Sequence, residues 1–389
     1  MKKILFIYRE MMMGGSTTSL LSILNELDYS KYSVDLLLLQ KGVEQLVEEV
    51  PEQVHVLPCA YTSILPLKLR KRLSWKCWKA HIIPHTPRQQ EQLIAQAMAG
   101  FCAPLKSEYD IAVGFLECWP LYYLVDKVQA KRKVNWIHVD FENAGFDPVL
   151  EMRYISQLDG VAMVSNSCVT NFKKVFPGAV DKVRMIPNIL SSKTIRKKSE
   201  YEIPDGSLMS RKSDLKFVTV CRIDFKHKGL DRAVEAFAAI EREHIKLSYQ
   251  WYIIGDGDDK PKLEKMIEEN RLQNRIVLLG SKMNPFPYEK QCDIFLLPSH
   301  YEGKPMAVTE AQILGLVPCV TAYSAAKEQV SHMVDGIVME NDNESIRTTL
   351  KQILDGDIDI GRLKRKVAET DYSNVNDMRY VMEILEGEI

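Results

Sequence analysis

The sequence predicts an α/β protein built from two Rossmann-like, doubly wound parallel sheets that face a central cleft. Three observations lead there. At 389 residues the chain exceeds one ordinary hydrophobic core and suits two. Its β-rich apolar runs are short and mostly continuous rather than alternating, as in strands covered on both faces by helices. Helix-length amphipathic stretches separate those runs, which is the strand–helix–strand rhythm of a parallel sheet.

In chain order the first half predicts strands at KILFIY (3–8), SVDLLLL (33–39), QVHVLP (53–58), DIAVGFL (110–116), KVNWIHV (133–139), GVAMVS (160–165) and KVRMIP (182–187). The second half predicts KFVTVC (216–221), QWYIIG (250–255), RIVLLG (275–280), DIFLLP (293–298) and PCVTA (318–322). The rhythm breaks once, over 189–214, where Ser, Lys, Pro and Gly accumulate. The reading is therefore a first domain over 1–190, a linker or loose segment over 191–214, and a second domain over 215–370. An amphipathic helix within 371–389 can return to the first domain. Ligands of such sheets bind beyond the carboxyl ends of the strands, which for two domains means the cleft.

Lys and Arg number 51 against 52 Asp and Glu, and neither half carries the basic excess of a nucleic-acid binder. The eight cysteines include no C-x-x-C pair, so neither disulfide staples nor a zinc site are expected, and reduced thiols suit a cytosolic setting. The opening MKKILFIYRE has too short an apolar run for a signal peptide and reads as a buried strand. No run approaches the roughly 18 apolar residues of a membrane span.

HYEGKPMAVTEAQILG (300–315) follows a predicted strand, and Pro305 stands where proline opens a helix. The free amides from Gly303 to Ala307, with the positive end of the helix dipole, form an anion site. Lys304 can add charge, and Glu302 can accept from hydroxyls. On a helical wheel Glu310 falls among Met306, Ile313 and Leu314, with Thr309 and Gln312 on the wet side. A carboxylate so placed needs donors; the hydroxyls of a nucleotide-sugar would supply them.

Arg222 ends another predicted strand, and Lys228 with Gly229 precedes a helix. A forked guanidinium and a compact ammonium at one sheet edge suit a pyrophosphate. Gly14 and Gly15 join the first strand to a helix that opens with Ser16, Thr17 and Thr18, where glycine amides can meet a phosphate. The spacing is not G-x-G-x-x-G, and the second strand ends in Gln40 without the acid that would hold a dinucleotide ribose. His138 ends a strand, with Asp140 and Glu142 just beyond, and can hydrogen-bond a sugar or a leaving phosphate.

The pairs Asp256 with Asp258 and Asp357 with Asp359 could hold a divalent ion. Turn and N-cap duty explains the first, and the second lies in a polar loop, so no metal is expected. Residues 53–90 contain no acid but hold Lys68, Arg70, Lys71, Arg72, Lys76, Lys79 and Arg88. A helix over 66–80 would place Trp75 and Trp78 beside Lys71 and Lys79, a face suited to an anionic membrane.

Together these motifs resemble glycosyltransferase family 4, with the two-domain GT-B fold, over nearly the whole chain. The most specific piece is the E-x7-E element from Glu302 to Glu310, supported in order by VCRIDFKHKGLD, YIIGDGDD and CDIFLLPSHYEG. The resemblance implies retaining, metal-independent hexosyl transfer from a nucleotide-sugar, with a UDP-sugar favoured. It implies that Arg222 and Lys228 hold the diphosphate, Glu302 contacts the donor sugar and Glu310 holds the ribose. Gly15 would approach the phosphate, His138 would contact the sugar near the reacting carbon, and the amides of Gly303 to Met306 would meet phosphate and sugar. The chain departs from the pattern after Asn188, where the usual glycine is missing, and at Lys304, where an apolar residue is frequent.

The resemblance further implies that the first domain receives a glycan or lipid-linked acceptor for surface polysaccharide synthesis. The setting would be cytoplasmic, on the inner face of the plasma membrane, with no cofactor. A nucleotide-sugar epimerase or hydrolase of the same fold and a non-catalytic nucleotide-sugar binder stay open as alternatives. An epimerase or hydrolase needs a water-handling acid–base pair that only His138 and Glu302 could form.

Overall fold

The computed structural model describes residues 1–12, 14–40, 46–58, 86–139, 141–203, 212–243 and 245–388, with the side chains of 142 and 143 excepted. The chain divides into two compact units: Met1–Ile189 with Asn374–Ile389, and Leu190–Ser373.

The first unit is built on β1 (Lys2–Tyr8), β2 (Tyr32–Leu38), β3 (Val54–Leu57), β4 (Glu108–Gly114), β5 (Gln129–Ile137), β6 (Gly160–Met163) and β7 (Val183–Met185). They form one parallel sheet in the order β3-β2-β1-β4-β5-β6-β7. β1 shows why a continuous apolar run was needed. Leu5 and Ile7 enter the core under the helices Pro87–Phe101 and Trp119–Lys127, while Ile4 and Phe6 enter the opposite core under Gly15–Glu26. That second core is completed by the helix Met378–Glu386, whose Val381, Ile384 and Leu385 are buried. Arg132 Nε donates to the Ile384 carbonyl at 2.9 Å, and Tyr32 donates to Glu386, which also pairs with Lys2.

The second unit holds β8 (Leu215–Val220), β9 (Tyr249–Ile254), β10 (Ile276–Gly280), β11 (Ile294–Leu297), β12 (Val317–Thr321) and β13 (Ile337–Met339). The order is β10-β9-β8-β11-β12-β13, again parallel throughout. Phe217 packs on one face and Val218 on the other. β13 was not among the expected strands.

Part of the stretch read as a linker is structured. Ser191 caps a helix over Ser192–Ser199, and Ile195 is buried against Leu190, Phe286, Met306 and Ile313 within the second unit. Its other residues are largely cationic and polar, which made the segment read as loose. Residues 204–211 lie outside the described ones.

Candidate functional site

The strand order reverses between β8 and β11, because β9 and β10 lie on one side of them and β12 and β13 on the other. The loops leaving β8 and β11 therefore part in opposite directions and leave a crevice at the carboxyl edge, the usual ligand position in open α/β sheets. One loop carries Arg222 and Lys228; the other carries Glu302, Gly303 and Lys304.

Lys228 ends the short helix Phe225–Lys228, which Asp224 caps. Gly229 follows at φ 60°, and an added Cβ there would meet the Pro298 carbonyl at 2.4 Å. Glycine thus lets the two loops touch. In consequence Lys228 Nζ reaches Glu302 Oε1 at 2.6 Å, and Ser299 Oγ donates to the same oxygen at 2.7 Å. Burial pushes the Lys228 ammonium down, but the charge of Glu302 outweighs it and the group is held above its ordinary range. Arg222 is exposed, with Nη2 3.1 Å from Asp224 Oδ2, an oxygen also 2.6 Å from His227 Nδ1. Burial pushes the Asp224 carboxyl up, yet bonding to His227 and the Arg222 charge bring it below the ordinary value.

The helix Met306–Ile313 starts after Pro305 with no side-chain cap. Among the described residues no acceptor meets the amides of Gly303, Lys304, Met306 and Ala307. Free donors at a helix N-terminus make an anion site. Glu310 is buried, and among the described residues no hydrogen bond reaches its carboxylate. Burial pushes it up to about 7, against the pull of Lys198. The wet side expected for Thr309 and Gln312 is corrected: Gln312 is buried and donates to the Gln329 carbonyl at 2.9 Å, and Thr309 accepts from Gln329 Nε2 at 3.2 Å. The helix Ala326–Gln329 covers that face, so the segment is packed on more than one side.

Three expected site residues belong to the first unit. Gly14 precedes the helix Gly15–Glu26 in extended backbone at φ 168°, with open space where a Cβ would stand, so no steric demand fixes glycine there. The hydroxyls of Ser16 and Thr17 are engaged by Tyr8, at 2.8 and 2.9 Å. His138 lies just beyond β5 with its ring 5.0 Å from that of Phe115. Its Nε2 is shielded and, among the described residues, unpartnered; burial pulls the imidazole down to about 4, so it is neutral at pH 7. Asp140 and the Glu142 side chain lie outside the described residues, as does the whole basic segment 66–80.

One aspartate of each pair serves the backbone. Asp256 accepts from the Gly257 amide at 2.8 Å, and Asp359 caps the helix Ile360–Glu369 through Arg362 N. Among the described residues no cluster of three His, Cys, Asp or Glu side chains is arranged to hold a metal ion.

The sequence reading missed Ser299 and Arg232. Buried Arg232 donates to Asn343 at 2.9 Å and Asn341 at 2.8 Å, and Asn341 donates to the His300 carbonyl at 2.6 Å. This network holds the loop that carries Glu302. The only hint was a cation in the first turn of a largely apolar helix, Leu230–Ile240.

Residues 206–370 match the family model described as Glycosyl transferases group 1. The chain is 30% identical over 184 residues to the amylovoran biosynthesis glycosyltransferase AmsK of Erwinia amylovora, a match covering 44% of each chain. It is 28% identical over 183 residues to the UDP-Gal:alpha-D-GlcNAc-diphosphoundecaprenol alpha-1,3-galactosyltransferase of Escherichia coli, covering 46% of this chain and 45% of that one. The chain thus spans less than half the length of these curated relatives. Among solved structures, Anabaena HepE in complex with UDP and glucose is similar over 100% of both chains, with a TM-score of 0.71 and 16% identity, a likeness of fold.

Proposed function

We propose that this chain is a retaining glycosyltransferase that moves a hexosyl group from a nucleotide-sugar to a glycan or lipid-linked acceptor in surface polysaccharide synthesis. A UDP-sugar is the favoured donor, no metal ion takes part, and the basic segment 66–80 contacts an anionic membrane. The observation that carries the reading is the Lys228–Glu302 pair beside the unbonded amides that open Met306–Ile313, at the strand-order reversal of the unit that matches the family model.

Glu302 occupies one of the three donors of the Lys228 ammonium, leaving two for diphosphate oxygens. Glu302 Oε1 takes both Lys228 and Ser299, so Oε2 is left to accept from a sugar hydroxyl. As the glycosidic bond breaks, charge growing on the diphosphate meets Lys228, the exposed fork of Arg222 and the helix N-terminus. Glu310 accepts from the ribose.

The test is a thermal-shift series with UDP, GDP, ADP and dTDP, each with and without EDTA. Stabilisation by UDP that EDTA leaves unchanged is expected. Stabilisation by none of the four, or only with added metal, overturns the reading.

A further inference from the structure

Glu151 takes no part in the donor chemistry, yet three helices of the first unit meet at its side chain. It stands midway along Pro148–Ile155, in the crossover between β5 and β6, and is 1% exposed. Its Oε1 accepts from Gln92 Nε2, on Pro87–Phe101, at 2.9 Å. The same oxygen accepts from the Tyr122 hydroxyl, on Trp119–Lys127, and from the Cys118 thiol at 3.9 Å. Gln92 also holds the start of Pro148–Ile155, giving Nε2 to the Asp147 carbonyl at 3.2 Å and taking the Asp147 amide at 2.6 Å. Asp147 in turn caps that helix through the Val149 amide at 2.9 Å. Docking of the helix thus runs through one oxygen of one carboxyl and the amide side chain beside it.

The other oxygen, Oε2, is shielded and has no hydrogen-bond partner among the described residues. A carboxylate here would leave part of its charge without a donor and out of reach of water. The surrounding groups do not offset that cost. From Trp119–Lys127 and the turn before it come Tyr122, Cys118 and the acid Glu117. From Pro87–Phe101 comes neutral Gln92, while Arg88 and Glu91 on that helix pair with each other at 2.7 Å. On its own helix Arg153 lies over the Tyr154 ring, and Lys182 from Pro177–Lys182 is committed to the Ser156 and Leu158 carbonyls at 2.9 and 2.6 Å. Among the described residues no cation meets the Glu151 carboxyl.

Burial accordingly raises this carboxyl to about 7, with Glu117 adding to the effect and the bonds from Tyr122 and Gln92 opposing it. With the helix opened and Glu151 in water, the proton would leave at the ordinary value of 4.5. Between those two values, opening releases a proton and is therefore favoured by rising pH. The stability that the held proton contributes is complete below 4.5, declines above it, and is gone beyond about 7.

We propose that Glu151 makes the docking of Pro148–Ile155 respond to pH: while the carboxyl keeps its proton the helix is held on Gln92 and Tyr122, and as the proton leaves the helix opens locally while the sheet stays folded. Opening of a single element below the cost of global unfolding is a common property of folded chains. This device belongs to the first unit alone and is independent of the transferase reading.

The test is amide hydrogen exchange on the full chain between pH 5 and 7.5, resolved over residues 151–156. Each rate is divided by that of an unstructured peptide of the same sequence, which removes the intrinsic effect of pH. In the unaltered chain the corrected exchange should rise about tenfold per pH unit from 5 to 6.5, as for one released proton, and level off near 7. Glu151→Gln copies the neutral carboxyl in shape and keeps an acceptor for Tyr122, so it should keep its low-pH protection throughout. Tyr122→Phe removes a bond that favours the charged form, so its rise should continue to higher pH. A flat profile in the unaltered chain, or a parallel rise in Glu151→Gln, overturns the proposal. An equal rise over β1 and β4 overturns it too, because the opening would then be global. Should Glu151→Gln fail to fold, Tyr122→Phe decides the matter, and levelling off at the same pH as the unaltered chain sinks the idea.

Discussion

The ammonium of Lys228 and the carboxylate of Glu302 meet at 2.6 Å although 74 residues separate them in the chain. Their side chains are 21% and 12% exposed, so the pair is shielded from bulk water, and the loss of either partner strands a charge. Lys228→Ala should reduce turnover by roughly 10²–10³, the scale of losing one donor to a developing oxyanion. It should also lower stability by about 2 kcal/mol, as for a lost charged hydrogen bond. Steady-state kinetics and urea melts check both, and full turnover in Lys228→Ala would remove it from leaving-group stabilisation.

Glu310 makes the site sensitive to pH. Its carboxyl is raised by burial to about 7, so its charged form, the better acceptor for ribose hydroxyls, grows as pH rises from 6 to 8. UDP affinity should increase over that interval, and Glu310→Gln should bind several-fold more weakly at pH 8 and lose the dependence. Calorimetry on both proteins isolates this carboxyl from the phosphate's own titration. Parallel pH profiles would dismiss the assignment.

Glu289 is 0% exposed, and among the described residues neither carboxylate oxygen has a hydrogen-bond partner. Burial raises it well above 4.5, with the charge of Glu310 adding to the effect. The folded state therefore holds its proton more tightly than the unfolded chain. The stability this contributes is complete below 4.5 and is lost above it, by up to about 1.4 kcal/mol per pH unit. Glu289→Leu should stabilise the second unit by about 1–3 kcal/mol at pH 7.5 and by less at pH 4.5. Melting curves at the two pH values decide this; a variant no more stable at pH 7.5 would show that the carboxyl is satisfied.

Leu385 is fully buried against the sheet of the first unit. Leu385→Ala should cost that unit about 2–4 kcal/mol, the range for truncating a packed leucine. Thermal melts monitored by circular dichroism measure it, and a shift within error would mean that the last helix adds little to that core.

Much of the fold could be read from the chain because parallel strands write themselves as uninterrupted apolar runs. The run from Ile4 to Tyr8 feeds two cores at once and leaves no polar residue to obscure it. The helix Ser192–Ser199 stayed hidden because it buries only Ile195 and Ser199, too little for a visible stripe. Gln312 was misread because a helical wheel assumes one wet side, and here a neighbouring short helix occupies it. Arg222, Lys228 and Glu302 could be singled out as candidates one by one from strand ends and turn residues, and Glu310 from its place on a helical wheel. The bond between Lys228 and Glu302 was not, since it depends on β8 and β11 becoming neighbours in the sheet.

The segment 374–389 belongs to the same compact body as residues 1–189, while 190–373 form the other. As the nascent chain leaves the ribosome, the middle body emerges whole and can reach its native packing at once. The other body must wait for the helix Met378–Glu386 to close the part of its core that lies over β5 and β6. Order of synthesis and order of completion are thus reversed, and the apolar surface left open in that interval is of the kind that favours aggregation in general.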